Sequence, residues 1–177
     1  MSKQLKNPVN NRDHILGIKT APLELLEYGD YQCPSCSESY LVVKKVLRQF
    51  GKNVVFIFRN FPLTEVHPDA FDAALTAEAA GLQNKFWEMY ELLYQNQERL
   101  SAQELFSYAR QIGLDVNRFE QDIQSQALTA KIEADIEGGI KSGVNGTPTF
   151  YINGEKYEKD WESDGLIDDL KSLIISK

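Results

Sequence analysis

The stretch that decides the fold covers residues 23–36 and reads Leu-Glu-Leu-Leu-Glu-Tyr-Gly-Asp-Tyr-Gln-Cys-Pro-Ser-Cys. Its first six residues are mostly apolar and predict a β-strand, which ends at the turn-forming residues Gly29 and Asp30. Pro34 suits the first turn of a helix, where its missing N–H group costs no hydrogen bond. The sequence therefore predicts a strand that passes through a short loop into a helix, with Cys33 and Cys36 at the junction.

The segment that follows predicts this helix and a second strand. Apolar residues recur at helical spacing, at Tyr40, Val43, Leu47 and Phe50. Gly51 supplies a helix stop, and residues 54–58 form an apolar run typical of a strand buried on both faces of a parallel sheet. These elements make a βαβ unit with the cysteines at the carboxyl end of its first strand, where open α/β sheets usually place their sites.

The remaining chain divides into a helical segment and a second β-containing segment. Residues 65–142 carry helical patterns and no predicted strand. After them, residues 149–152 predict a strand, Asn153-Gly154 predicts a hairpin turn, and an amphipathic helix follows. We therefore divide the chain into three parts: 1–64, an N-terminal arm and the βαβ unit; 65–142, a helical insertion; and 143–177, the second half of the α/β unit.

Length and composition are those of an ordinary globular chain. The 177 residues are 42% hydrophobic and 25% charged, which excludes a disordered or fibrous chain. No apolar run approaches the roughly 18 residues of a membrane span. Acidic residues outnumber Lys and Arg by 26 to 19, for a net charge of −7, so we expect no nucleic-acid partner.

The first twenty residues lack the apolar stretch of a signal peptide. The sequence as it stands therefore predicts a cytoplasmic protein. A protein from which a signal had already been removed would show the same sequence, and it would be exported, for example to the periplasm.

The chain contains two cysteines, and only two residues separate them. A loop this short constrains the unfolded chain little, so the pair is better suited to chemistry than to stabilising the fold. A zinc site needs about four ligands, yet the two histidines, His14 and His67, lie far apart in sequence. We therefore predict no metal site and interpret Cys33 and Cys36 as redox-active. A Cu(I) carrier is an open alternative, because two soft thiolates bind that ion.

Four stretches, spread over nearly the whole chain after residue 20, resemble the DsbA-like branch of the thioredoxin superfamily. They are residues 27–36, 58–63, 85–89 and 143–150. The resemblance implies an α/β thioredoxin fold, a central mixed β-sheet flanked by helices, with an all-helical insertion. It also implies a protein dithiol–disulfide oxidoreductase whose redox centre is a Cys33–Cys36 disulfide, with no other cofactor.

The cysteines and the two residues between them have distinct expected roles. Cys33 is the expected nucleophile, because it begins a helix whose N–H groups and dipole favour a thiolate. Cys36, nearly one turn later, is expected to be less exposed and to resolve the mixed disulfide. Pro34 and Ser35 are expected to tune the reduction potential of the cysteine pair. Strongly oxidising relatives often carry histidine where this chain has Ser35, so we expect a reduction potential between about −270 and about −120 mV.

The resemblance assigns roles to three further positions. Pro148 is expected to be a cis-proline beside the cysteines, and Thr147 to offer backbone hydrogen bonds to an extended substrate, a form of strand addition. Glu27, six residues before Cys33, matches a buried carboxylate that exchanges a proton with the resolving thiol. The alternative for Glu27 is a surface residue paired with a cation, and Arg59 on the neighbouring strand is its expected charge partner.

Neighbouring loops supply further candidates. Tyr31 and Gln32 are expected to line a substrate groove, with ordinary surface positions as an equal alternative. His67 precedes Pro68 and is expected to help cap a helix. The expected partners are proteins or peptides with thiols or disulfides, and a redox partner that recycles the pair.

A non-catalytic function is the main rival. In that interpretation the chain is a peptide-binding chaperone module whose thiols are vestigial, and loss of Cys33 would leave binding intact. If exchange is the function, its direction stays open among oxidation, reduction and isomerisation, although a reducing cytosol favours reduction.

Overall fold

The computed structural model describes residues 3–162 and 164–176, and one mixed sheet organises them. Its strands in this part of the chain are β1 (His14–Leu16), β2 (Leu23–Gly29), β3 (Val54–Asn60), β4 (Thr149–Ile152) and β5 (Glu155–Lys156). They lie in the order β1-β3-β2-β4-β5. The helices of the same part are α1 (Pro34–Phe50), α2 (Ala70–Gly81), α3 (Phe86–Gln95), α4 (Ala102–Gln111), α5 (Val116–Asp122), α6 (Gln126–Ser142) and α7 (Gly165–Ile175). The predicted α/β architecture is confirmed.

The predicted βαβ unit forms the centre of the sheet. β2 and β3 are parallel, with Glu27 opposite Phe58, and α1 connects them. All seven residues of β3 are buried, as its continuous apolar run predicts. β4 pairs with the other side of β2 in the antiparallel sense, with Tyr28 opposite Thr149. The residues just before β4 therefore lie beside the end of β2, where the cysteines are.

Alternating residues of the strands enter two separate apolar clusters. Phe56 and Phe58 of β3 join the larger cluster, together with residues of α1 and α3. Val55 and Ile57 point to the opposite face and join the smaller cluster. Burying one such side chain contributes roughly 1.5–3 kcal/mol, so both faces of β3 hold it at the centre of the sheet.

Residues 65–142, all of which the structure describes, fold into the five helices α2 to α6 and contain no strand, in keeping with the helical patterns of their sequence. Their core is continuous with that of the sheet. Tyr90 and Tyr94 of α3 lie with their ring centroids 5.8 and 5.5 Å from the ring of Tyr40 in α1, and 6.0 and 5.1 Å from that of Tyr31. The helical insertion is thus packed directly against the helix that begins at Cys33.

The second β-containing segment forms the predicted hairpin. Asn153 and Gly154 have φ angles of 49° and 81°, the left-handed pair that a tight two-residue turn requires. The N-terminal arm covers the outer edge of this hairpin, since Leu5 donates its N–H to Gly154 and Lys3 accepts one from Lys156. None of the described helices is both long and apolar enough to span a bilayer.

Candidate active site

Cys33 occupies the N-cap position of α1, directly after the loop that leaves β2. Pro34 is the first helical residue, where the sequence predicted it, and the N–H of Cys36 donates to the Cys33 carbonyl (3.0 Å). Cys33 is 7% exposed and Cys36 is fully buried. Both are free thiols. Cys33 is therefore the more accessible of the two sulfurs.

The two thiols have opposite acid–base properties. The hydrogen bond from Cys36 is the largest effect on Cys33 and lowers its pKa to about 5, against the opposing effect of burial. The N-terminus of α1 further favours a negative charge at this position. Burial is the main cause that raises the pKa of Cys36 well above its usual value, and the hydrogen bond that Cys36 gives to Cys33 adds to it. The arrangement favours a Cys33 thiolate beside a Cys36 thiol.

The Thr147–Pro148 segment lies beside Cys33, although more than a hundred residues separate them in sequence. The peptide bond between Thr147 and Pro148 is cis, the conformation that the resemblance implied. The Cys33 thiol donates to the Thr147 carbonyl at an Sγ–O distance of 3.4 Å. The pairing of β4 with β2 brings this segment to the cysteines.

Glu27 is a fully buried carboxyl group in β2. Burial raises its pKa to about 8. The Ser39 hydroxyl donates to Oε1 at 2.7 Å, while Oε2 has no hydrogen-bond partner among the described residues. Ser39 lies three residues after Cys36 on the buried side of α1. Sequence reasoning missed Ser39, although a serine within the apolar stripe of a helix could have indicated it.

The expected pairing of Glu27 with Arg59 is wrong. Arg59 is opposite Tyr28 in the parallel register, so its side chain lies on the other face of the sheet from Glu27. It donates instead from Nε to the carboxylate of Asp13 (2.7 Å) and from Nη1 to the hydroxyl of Tyr28 (3.1 Å). Whether the two side chains share a face depends on the register between β2 and β3, which the sequence alone does not give.

The expected role of Tyr31 in lining a groove is also wrong. Tyr31 is only 1% exposed, because its ring packs against the rings of Phe58 and Tyr94 in the core. Gln32 is half-buried, and its amide forms two hydrogen bonds with Asp69, the N-cap residue of α2. It thereby fastens the start of α2 to the loop before Cys33.

Two hydrogen-bonding residues near Cys33 were not singled out by sequence reasoning. Asp30 is 1% exposed, and its Oδ2 lies 2.8 Å from His67 Nδ1. The ring of His67 thus contacts the active-site loop, and Asp69 occupies the cap position that was expected to involve His67. Gln97, which lies between α3 and α4, donates from Nε2 to the carbonyls of Cys33 and Tyr31 (2.6 and 3.0 Å). No pattern in the sequence indicates Gln97.

The two residues between the cysteines are more exposed than the cysteines themselves. Pro34 is exposed and Ser35 is half-buried. Among the described residues, the Ser35 hydroxyl forms no hydrogen bond with either sulfur. Its tuning role stays a prediction. In residues 3–162 and 164–176, no three His, Cys, Asp or Glu side chains are grouped as metal ligands would be.

Fold and site together define a thioredoxin-type dithiol protein, in which a Cys-x-x-Cys pair begins the first long helix and faces a cis-proline segment. Residues 9–171 match the Thioredoxin_4 family model, which is described as thioredoxin, and the chain belongs to this family. Its neighbours among solved structures are DsbA-like proteins, as the sequence resemblance predicted.

Solved structures share the fold over nearly the whole chain. BdbD from Bacillus subtilis has a TM-score of 0.85 at 22% identity, and the match covers 99% of this chain and 100% of that one. A thioredoxin-like oxidoreductase from Silicibacter pomeroyi has a TM-score of 0.83 at 23% identity, with 95% of each chain covered. The thiol-disulfide exchange protein alpha-DsbA2 from Wolbachia pipientis has a TM-score of 0.80 at 19% identity, covering 93% of this chain and 88% of that one.

Curated relatives are much longer proteins. The Na(+)/H(+) antiporter NhaA 1 of Mycolicibacterium vanbaalenii is 39% identical over 167 residues, which are 93% of this chain and 27% of that protein. The NhaA antiporter of Herminiimonas arsenicoxydans is 32% identical over 160 residues, 90% of this chain and 25% of that protein. The chain thus spans about a quarter of the length of the curated relatives it matches.

Proposed function

We propose that this chain catalyses thiol–disulfide exchange with protein substrates, using Cys33 as the nucleophile and Cys36 as the resolving thiol. The observation that carries the proposal is the position of Cys33 at the N-cap of α1, one turn before Cys36 and 3.4 Å from the Thr147 carbonyl oxygen. This environment lowers the pKa of Cys33 to about 5, chiefly through the hydrogen bond from Cys36. A thiol with this pKa is a thiolate at neutral pH, and the thiolate is the form that attacks a disulfide. A low pKa also makes Cys33 a good leaving group in the reverse direction.

The proposed reaction has two exchange steps. The Cys33 thiolate attacks one sulfur of a substrate disulfide, so that the substrate S–S bond breaks and a Cys33–substrate disulfide forms. The departing substrate sulfur takes up a proton. Cys36 then loses its proton and attacks Sγ of Cys33, which forms the Cys33–Cys36 disulfide and releases the second substrate thiolate. Two electrons pass to the substrate, and the reverse sequence oxidises a substrate dithiol.

Glu27 is the proposed acceptor of the Cys36 proton. Cys36 is buried and its pKa is raised well above the usual value, so it needs a base close by in order to react. The carboxyl group of Glu27 interacts electrostatically with both cysteines, and its pKa of about 8 suits proton transfer near neutral pH. Ser39 holds one carboxyl oxygen by a hydrogen bond and leaves the other available for the proton.

The Thr147–Pro148 segment is the proposed substrate-binding element. The Thr147 carbonyl is within hydrogen-bonding distance of Cys33. A substrate chain that lies along this segment would place its sulfur next to the nucleophile, and main-chain hydrogen bonds would make binding tolerant of sequence. Gln32, in the loop before Cys33, stays a predicted substrate-binding residue. The absence of any cofactor other than the cysteine pair is part of the same proposal.

Single cysteine variants test the proposal with insulin as a disulfide substrate and a reduced two-cysteine peptide as a dithiol substrate. We expect Cys33→Ser to abolish exchange with both, and Cys36→Ser to accumulate a mixed disulfide through Cys33, detected by mass spectrometry. Glu137→Gln, which alters an exposed carboxylate on α6 and keeps both thiols, is the control and should retain exchange. Exchange that persists in Cys33→Ser would contradict the proposal, and substrate binding that persists without any exchange in the wild type would favour a chaperone module.

A further inference from the structure

Asp30 is a buried carboxylate in the loop that leads to Cys33. It accepts hydrogen bonds from the N–H groups of Gln32 (2.7 Å) and Leu63 (2.8 Å), and its Oδ2 lies 2.8 Å from His67 Nδ1. The backbone N–H groups can only donate, and an ionised carboxylate can only accept. The geometry therefore fits an ionised Asp30 with a proton on Nδ1 of His67.

A buried carboxylate in this position opposes the proposed chemistry unless its charge is balanced. The side chain of Asp30 is 0% exposed, and its charge disfavours a second negative charge on Cys33. Burying an ionised group is costly unless it is paired. The side chain of His67 is 19% exposed, whereas that of Asp30 is enclosed.

We propose that His67 carries the positive charge that balances Asp30, and that this ion pair removes the unfavourable effect of the Asp30 carboxylate on the Cys33 thiolate. The inference rests on the proposed thiol–disulfide exchange and deepens it. His67 and Asp30 are positioning residues, because they act through Cys33 and through the loop that holds it. The thiolate then forms beside a neutral pair, and the cost of placing two negative charges in one buried loop is avoided.

The remaining groups around Cys33 come from other elements. Cys36 from α1 donates a hydrogen bond to its sulfur, the Thr147 carbonyl oxygen from the segment before β4 lies 3.4 Å from that sulfur, and Glu27 from β2 interacts with it electrostatically. The side chain of His67 pairs with Asp30, so we expect a substitution at His67 to leave these three groups in place. A change in the pKa of Cys33 in a His67 variant therefore reports on the Asp30 pair.

A charge series at His67 tests the inference. The pKa of Cys33 is measured in the reduced protein from the pH dependence of its alkylation by iodoacetamide. We expect His67→Gln to raise this pKa by about half a unit, a roughly threefold loss of thiolate below the pKa, because Asp30 loses its counter-charge. His67→Lys keeps a positive charge and should bring the pKa back toward the wild-type value. Asp30→Asn should lower it.

The other histidine supplies a matched control. His14 is paired with Glu78 at 2.8 Å, and it stacks on Phe86. His14→Gln removes a similar buried pair and should leave the pKa of Cys33 unchanged. Equal shifts in His67→Gln and His67→Lys would overturn the inference, since they would indicate a purely structural role, and so would the absence of any shift in His67→Gln.

The same variants separate this inference from the proposed function. Should Asp30→Asn fail to fold, the His67 series decides the outcome alone. Suppose that the pKa of Cys33 rises in His67→Gln and returns toward the wild-type value in His67→Lys, but the protein cannot exchange disulfides with insulin. This result would support the ion pair and contradict the proposed function. If exchange is normal and the pKa of Cys33 does not depend on the charge at position 67, the proposed function is supported and the ion pair is contradicted.

Discussion

Cys33 and Cys36 are one helical turn apart, yet their environments give them opposite acid–base properties. Cys33 lies at the helix start and receives a hydrogen bond, which lowers its pKa, whereas burial raises the pKa of Cys36. The same burial raises the pKa of Glu27. A thiolate, a thiol and a carboxyl group whose pKa is about 8 thus lie together. The ionised fraction of Glu27, which grows as the pH rises toward 8, is the form that accepts the Cys36 proton in the proposed step.

Glu27→Gln should change the pH dependence of folding stability. The pKa of Glu27 rises from 4.5 to about 8 on folding. The stability that the protonated carboxyl contributes is therefore complete below about pH 4.5 and is lost as the pH rises to about 8. The variant lacks this loss, so its stability relative to the wild type should increase over that range by up to about 1.4 kcal/mol per pH unit. Urea unfolding of both proteins at a series of pH values measures this difference in the free energy of unfolding.

The proton-acceptor role of Glu27 has a kinetic counterpart. Between pH 6 and 8, Glu27→Gln should slow resolution of the mixed disulfide, because Cys36 then lacks a base. Glu137→Gln, which alters an exposed carboxylate on α6 paired with Lys141, is the control for both measurements. Unchanged exchange rates in Glu27→Gln over this pH range would contradict the relay.

Ser35→His should raise the reduction potential of the pair. Ser35 is the second residue of α1, and it contributes no charge to the N-terminal turn. A histidine there can be positively charged, which would further stabilise the Cys33 thiolate and hence the reduced form. The potential is measured by equilibration against glutathione buffers. A lower potential in the variant would show that the residue at position 35 does not tune the thiolate in this way.

Elements from distant parts of the chain hold the active-site loop in place. β4 brings the Thr147–Pro148 segment to the sulfur, Gln32 ties the loop to the start of α2, and Gln97 ties it to the segment between α3 and α4. The helical insertion is therefore part of the active-site structure as well as of the core. Its packing against α1 fixes the helix start on which the thiolate depends.

Gln97→Ala should loosen this arrangement. The change removes hydrogen bonds to two backbone carbonyls, which we expect to cost about 1 kcal/mol of folding stability. It should also raise the pKa of Cys33, because the first turn of α1 loses support. Gln83→Ala is the matched control, since Gln83 also forms two hydrogen bonds with a backbone, at Asp115. If Gln97→Ala and Gln83→Ala lose the same stability and have the same pKa of Cys33, the proposed role of Gln97 is contradicted.

At the scale of the whole molecule, the sequence predicted the architecture well. Continuous apolar runs and helical spacing act over short distances, and so the βαβ unit, the five insertion helices and the Asn153–Gly154 hairpin were all predictable. Contacts between segments that are distant in the sequence were harder to predict. Gln97 and His67 reach the loop from other elements without any local pattern. Tyr31 was misplaced because α3, whose Tyr90 and Tyr94 pack on its ring, lies more than fifty residues further along the chain.

The reduction potential of the Cys33–Cys36 pair tests the account most directly. The protein is equilibrated in thiol–disulfide buffers of defined potential, alkylated, and the fraction of each form is measured by mass. We predict an intramolecular disulfide with a potential between about −270 and about −120 mV, where a value above about −200 mV indicates a disulfide donor and one near −270 mV a reductase. Failure to form a Cys33–Cys36 disulfide under any of these buffers would contradict the central claim that the pair is redox-active.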